Sequence, residues 1–186
     1  MSEFEFVIVL MSFIVAFGAS ELLSGWGRLY LARDRVRLYP LQLASSALLF
    51  VALIQSVWGY WGFRSVSWGF GSFMLALITL LPVVGAAGIV LPPAERLHDQ
   101  CDARTHYQSV YRSIFVLLAM WVALSTIAEM ALVDAEFHAG QVLRIAAVLL
   151  LVGLSLTPRP AIHWIGLLLL ATTQLMFAGL ITPVLG

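Results

Sequence analysis

Six long apolar runs limit what this chain can fold into, at about Phe4–Ser24, Pro40–Trp61, Ser67–Leu91, Ser113–Val133, Gln141–Leu156 and Ala161–Leu185. A bilayer core is crossed by about 20 helical residues, and only the fifth run falls clearly short of that. Apolar residues come in blocks, without the period-2 alternation of a membrane barrel. Of the 186 residues, 61% are hydrophobic and 11% charged. A soluble domain carries about 25% charged residues, a gap too wide for an oily core alone to explain. The sequence therefore predicts an all-α polytopic membrane bundle of six transmembrane helices. It forms one integral domain over residues 1–186, with a helical connection at about 92–112. Its first partner is the lipid bilayer.

Arginine placement orients the bundle. All ten basic residues are arginine. The connections after the first, third and fifth runs carry Arg28, Arg33, Arg35, Arg37, Arg96, Arg104, Arg112 and Arg159. The opposite side has only Arg64 and Arg144, beside Asp134 and Glu136. The positive-inside rule puts the arginine-rich side in the cytoplasm, with both termini on the other side of what reads as a bacterial cytoplasmic membrane. Trp58, Tyr60, Trp61, Phe63, Trp68 and Phe70 then form an interfacial aromatic belt on the outer face.

Several classes are excluded. A net charge of zero gives no basic face for a nucleic acid. The single cysteine, Cys101, allows no internal disulfide. The start, Met1–Phe6, is acidic where a secretory signal is basic, so the first run is expected to stay as a membrane helix. There is no P-loop, dinucleotide fingerprint or nucleophile elbow, and nothing calls for a cofactor.

Three runs lie on each side of the polar connection, and two halves of three spans have opposite topology, as in transporters built from inverted repeats. Glu21 and Glu129 each fall toward the C-terminal end of the first helix of their half. Acids at such depth are costly in hydrocarbon and mark functional sites by default. Running antiparallel, they sit near opposite boundaries, roughly 15–20 Å apart in depth, so they cannot share one catalytic dyad. The expected transport path comprises Glu21, Ser24, the helix-interrupting Pro82, Glu129, and the mid-membrane polar trio Thr172, Thr173 and Gln174. The competing structural reading pairs Glu129 with Arg144 across a short hairpin, and Glu21 with His163, Arg159 or its own Arg28.

In the polar connection, His98, Asp102 and His106 stand one helical turn apart, which offers two corners of a metal site but no complete ligand set. Three functions are compatible with these features. The favoured one is a small transporter or channel for a proton, cation or small solute. The others are a non-catalytic subunit or assembly factor of a larger membrane complex, as a homo-oligomer or with other membrane proteins, and an intramembrane enzyme using the His/Asp/Cys segment.

Overall fold

The computed structural model describes residues 2–94, 102–133 and 139–181. It is an all-α bundle: α1 (Glu3–Leu31), α2 (Pro40–Gly59), α3 (Phe70–Val90), α4 (Ala103–Val133), α5 (Ala139–Leu156) and α6 (Pro160–Ile181). A short 3-10 turn, Tyr60–Phe63, follows α2. All but α5 are long and apolar enough to cross a membrane. At 18 residues, α5 rises about 27 Å, close to the hydrocarbon thickness of about 30 Å.

Local chemistry sets the helix ends. Ser2 caps α1: its hydroxyl accepts from the Glu5 N–H (3.2 Å) while the Glu5 carboxylate accepts from the Ser2 N–H (2.8 Å). These bonds satisfy amides that have no partner within the helix. Prolines at the first position open α2 and α6, where the missing N–H costs nothing. Asp102 lies at the start of α4 and accepts from the Arg104 N–H (3.0 Å).

Helices α2, α3, α4, α5 and α6 each pack on the next, and α6 returns to α2, closing a ring of five. Helix α1 stands outside it, against α2 and α3. The buried stripe of α1 is Val7, Met11, Val15, Gly18, Leu22, Gly25 and Leu29, a spacing of three and four residues that keeps one face on the bundle. Gly25 allows close approach: a Cβ there would lie 2.5 Å from Leu91 Cδ1. Small residues serve this purpose at membrane helix interfaces, where lipid is as apolar as leucine and packing drives association.

Three expectations are revised. An inverted repeat would give α1 and α4 equivalent places, but α1 lies outside the ring and α4 within it. Pro82 does not break its helix, since α3 runs continuously from Phe70 to Val90. Residues 103–112, expected as a helical connection running into the fourth span with a solvated face, are the first turns of α4, but His106, Tyr107 and Tyr111 there are buried. The rest of that connection, with Arg96, His98 and Cys101, lies outside the described residues, as do Asp134, Glu136 and the end of the sixth run.

Candidate functional site: a cavity inside the ring

The five ring helices enclose a cavity of about 580 Å³, and α1 contributes nothing to its wall. That volume lies within the usual range of small-molecule sites, about 300–1,000 Å³. The cavity occupies the arginine-poor half of the bundle. Its lining there includes the exposed Trp61, Arg64 and Val133, which mark the mouth. Toward the opposite end it narrows onto Phe115, Leu151 and Leu167, all buried.

Charge sits at the mouth. On α5, Arg144 donates through Nη1 to Glu129 Oε2 on α4, and its guanidinium lies 5.1 Å from the centroid of the Phe177 ring on α6. One arginine thus ties three helices. The two side chains keep 18% and 23% exposure, and both residues line the cavity. Pairing avoids the cost of a lone charge in a low-dielectric site.

Polar groups on the wall are few and mostly engaged. Ser45 and Ser56 donate to carbonyls of their own helix, Leu41 O and Ala52 O, at 2.8 Å each. Thr173 does the same with Leu169 O. Tyr60 donates to Ala76 O (2.7 Å) and meets Thr79 Oγ1 (2.6 Å). Two glutamines close the α2–α6 seam. Gln55 Nε2 donates to Gln174 O (2.9 Å), and Gln174 Nε2 donates to Leu48 O (3.3 Å). Gln174 Oε1 is buried and has no partner among the described residues, which leaves an acceptor at the wall for a donor from a bound molecule. Trp58, Trp61, Trp121 and Phe177 add aromatic surface.

Below the floor the bundle is filled. His163, 2% exposed, sits among the rings of Tyr107, Tyr111 and Phe115, with centroids 5.1–5.8 Å away. Its Nε2 meets Thr157 O at 2.6 Å and its Nδ1 meets the Tyr107 hydroxyl at 2.9 Å. A carbonyl only accepts, so Nε2 is assigned the proton and Nδ1 accepts from Tyr107.

The sequence-derived residues therefore divide. Glu129, Thr173 and Gln174 line the cavity, as does Arg144. Thr172 faces outward and bonds to Leu168 O. Pro82 is buried but is not part of the wall. Glu21 and Ser24 are exposed on α1, outside the ring. The expected Glu21–His163 pair is not formed, because His163 is taken by Tyr107 and Thr157 inside the bundle. The proposed metal corners also have other work: Asp102 bonds at the start of α4, and His106 Nε2 lies 3.1 Å from Ile89 O. Among the described residues no three histidine, cysteine or acidic side chains converge.

Sequence reasoning missed the aromatic plug, although Tyr107, Tyr111 and Phe115 recur every four residues on one face of α4. It also missed Ser125, a half-buried wall residue. The fold and its site define an integral membrane helix bundle with an internal cavity. No protein-family model, curated protein or solved structure matches the chain.

Proposed function

We propose that this protein is a small membrane carrier that takes up an amphipathic solute with a charged head through the arginine-poor mouth of the ring. By the positive-inside rule that mouth faces away from the cytoplasm. The observation that carries this reading is the gradient along the cavity wall. The Glu129–Arg144 pair lies at the mouth, and Leu80, Ile114, Leu118, Leu151 and Leu167 lie toward the floor. A solute with its head at the ion pair and an apolar tail below would match both. A hydrated ion would gain nothing from that floor, so an open ion channel is the weaker reading.

Within the transport path expected from the sequence, this reading keeps Glu129, Thr173 and Gln174 and drops Glu21, Ser24, Pro82 and Thr172. Trp121, on the wall, offers a reporter. The test titrates brominated alkyl ammonium, alkyl carboxylate and alkyl betaine probes into protein in liposomes and follows tryptophan quenching. Saturable quenching by at least one head group is expected, reduced in Trp121→Phe and lost when Trp58, Trp61 and Trp121 are all replaced by Phe. Quenching that rises without saturation and is the same in all three proteins is mere partitioning into lipid, and it would end the carrier reading.

A further inference from the structure

Two long helices flank α3, α1 on one side and α4 on the other, and each turns a face away from the bundle. The outward face of α1 carries Phe17, Ser20, Glu21 and Ser24; that of α4 carries Ser109, Arg112 and Val116. All are exposed. Among the described residues Glu21 has no hydrogen bond or ion pair. Among the described residues Arg112 meets only its neighbour Tyr111, with Nε donating to the hydroxyl at 3.2 Å and the guanidinium 6.0 Å from the ring centroid.

Depth can be read from the contacts each helix makes with α3. Glu21 lies between Gly18, whose absent side chain would face Val84, and Gly25, which would face Leu91. Arg112 lies between Leu117, against Gly85, and His106, whose Nε2 meets Ile89 O. The acid and the cation therefore occupy the same level of α3 but opposite flanks of it. Glu21 lies three residues inside the end of the first apolar run at Ser24, about 5 Å from the arginine-rich boundary, where an outward-facing glutamate still needs water or a cation beside it.

We propose that copies of this chain associate head to tail in the bilayer, with Glu21 on α1 of one copy pairing with Arg112 on α4 of the next. A second copy fits because it brings a cation at the depth where the acid is bare, and each chain carries both halves of the contact. A two-fold contact through α1 would set Glu21 against Glu21, which like charge disfavours. A heterologous contact repeats, giving a ring or a short row. The helices meet antiparallel, so the small residues Ser24 and Ser109, one turn away on each, also face at matched depth. This inference does not depend on what the cavity binds.

The test uses full-length protein in liposomes at low protein density, in a Cys101→Ser background. With Ser24→Cys and Ser109→Cys in one chain, a short bis-maleimide is expected to give a ladder of cross-linked species, and each single cysteine far less. Glu21→Arg or Arg112→Glu alone should cut the ladder about tenfold, the equivalent of one interhelical pair of about 1.4 kcal/mol. The double exchange Glu21→Arg/Arg112→Glu should restore it. Mixing the two single-exchange chains should restore a ladder in which the two alternate, since the Glu21→Arg chain is basic and the Arg112→Glu chain acidic at both contact positions and every unlike contact is then complementary. Strong cross-linking through Ser24→Cys alone would mean a two-fold contact and overturn the proposal. So would a ladder indifferent to both charges, or no ladder at all. Circular dichroism of each variant separates lost assembly from lost fold.

Discussion

The two ends of the helix ring solve the problem of polar groups in a membrane in opposite ways. At the arginine-rich end the space between α2, α4, α5 and α6 is filled by Leu41, Tyr107, Tyr111, Phe115, Leu151, Leu154 and Leu167. One histidine there has both ring nitrogens bonded. At the arginine-poor end the same helices part around a hollow, and the polar groups sit on its wall. In the filled end Tyr107, His163 and Thr157 match one another's donors and acceptors, so this cluster needs no water. The hollow end has an ion pair at its mouth and an amide oxygen without a donor. Closure at one end and access at the other is what a carrier resting in one state requires.

The partition between these ends rests on Phe115, 1% exposed and forming the floor. Phe115→Ala is expected to cost about 3–5 kcal/mol, through lost burial and the void left behind. It should also join the cavity to the space around His163. Thermal unfolding in detergent measures the first effect, and glycerol-driven light scattering of proteoliposomes the second. A large drop in unfolding temperature with no rise in glycerol entry would place the barrier elsewhere and weaken the contrast between the ends.

A smaller effect is expected from the mouth. Arg144→Leu leaves Glu129 without its cation and removes the contact with Phe177. Breaking a buried pair costs about 3–5 kcal/mol, and since both partners here keep some exposure, about 2 kcal/mol is expected by the same reasoning. The double change Glu129→Gln/Arg144→Gln should recover most of that, because no charge is then stranded. If the double change is as damaging as the single one, the pair is not a clasp, and its packing rather than its charge holds the mouth together.

The bundle was legible in the sequence because block hydrophobicity and arginine placement are set by the solvent, which acts on every residue alike. The Glu129–Arg144 pair was legible too, since a short hairpin brings the two to one depth. What was not legible is which way each helix faces. A membrane helix is apolar all round, so burial leaves no polar and apolar sides to read. On α1 the inward side is marked only by residues such as Gly18, Leu22 and Gly25. Glu21 stands next to Leu22, about 100° away around the helix, and that single step turns it from the face packed on the bundle to the outward face. Glu129 and Glu21 look alike along the chain for the same reason, yet one lines the hollow and the other is exposed on the outward face of α1. The cavity itself arises from how far helices part, a property of many small packing choices that no motif records.

The smallest expected effect tests whether the two ends are independent. Tyr107→Phe removes one hydroxyl and leaves the ring, so the packing around His163 stays and only the bond to Nδ1 is lost. Hydrogen bonds between membrane helices are worth about 0.6 kcal/mol on average and rarely more than about 1.7. Nδ1 is then a buried acceptor without a donor, which sets the cost toward the upper part of that range, about 1 kcal/mol. A shift of that size in thermal unfolding should come with no change in glycerol entry and none in the saturable quenching of Trp121, because the floor at Phe115 lies between the lost bond and the cavity. If Tyr107→Phe instead raises glycerol entry as much as Phe115→Ala does, the filled end and the hollow end form one coupled unit. The histidine cluster would then belong to the transport path as its inner gate, and no longer serve only as filling beneath it.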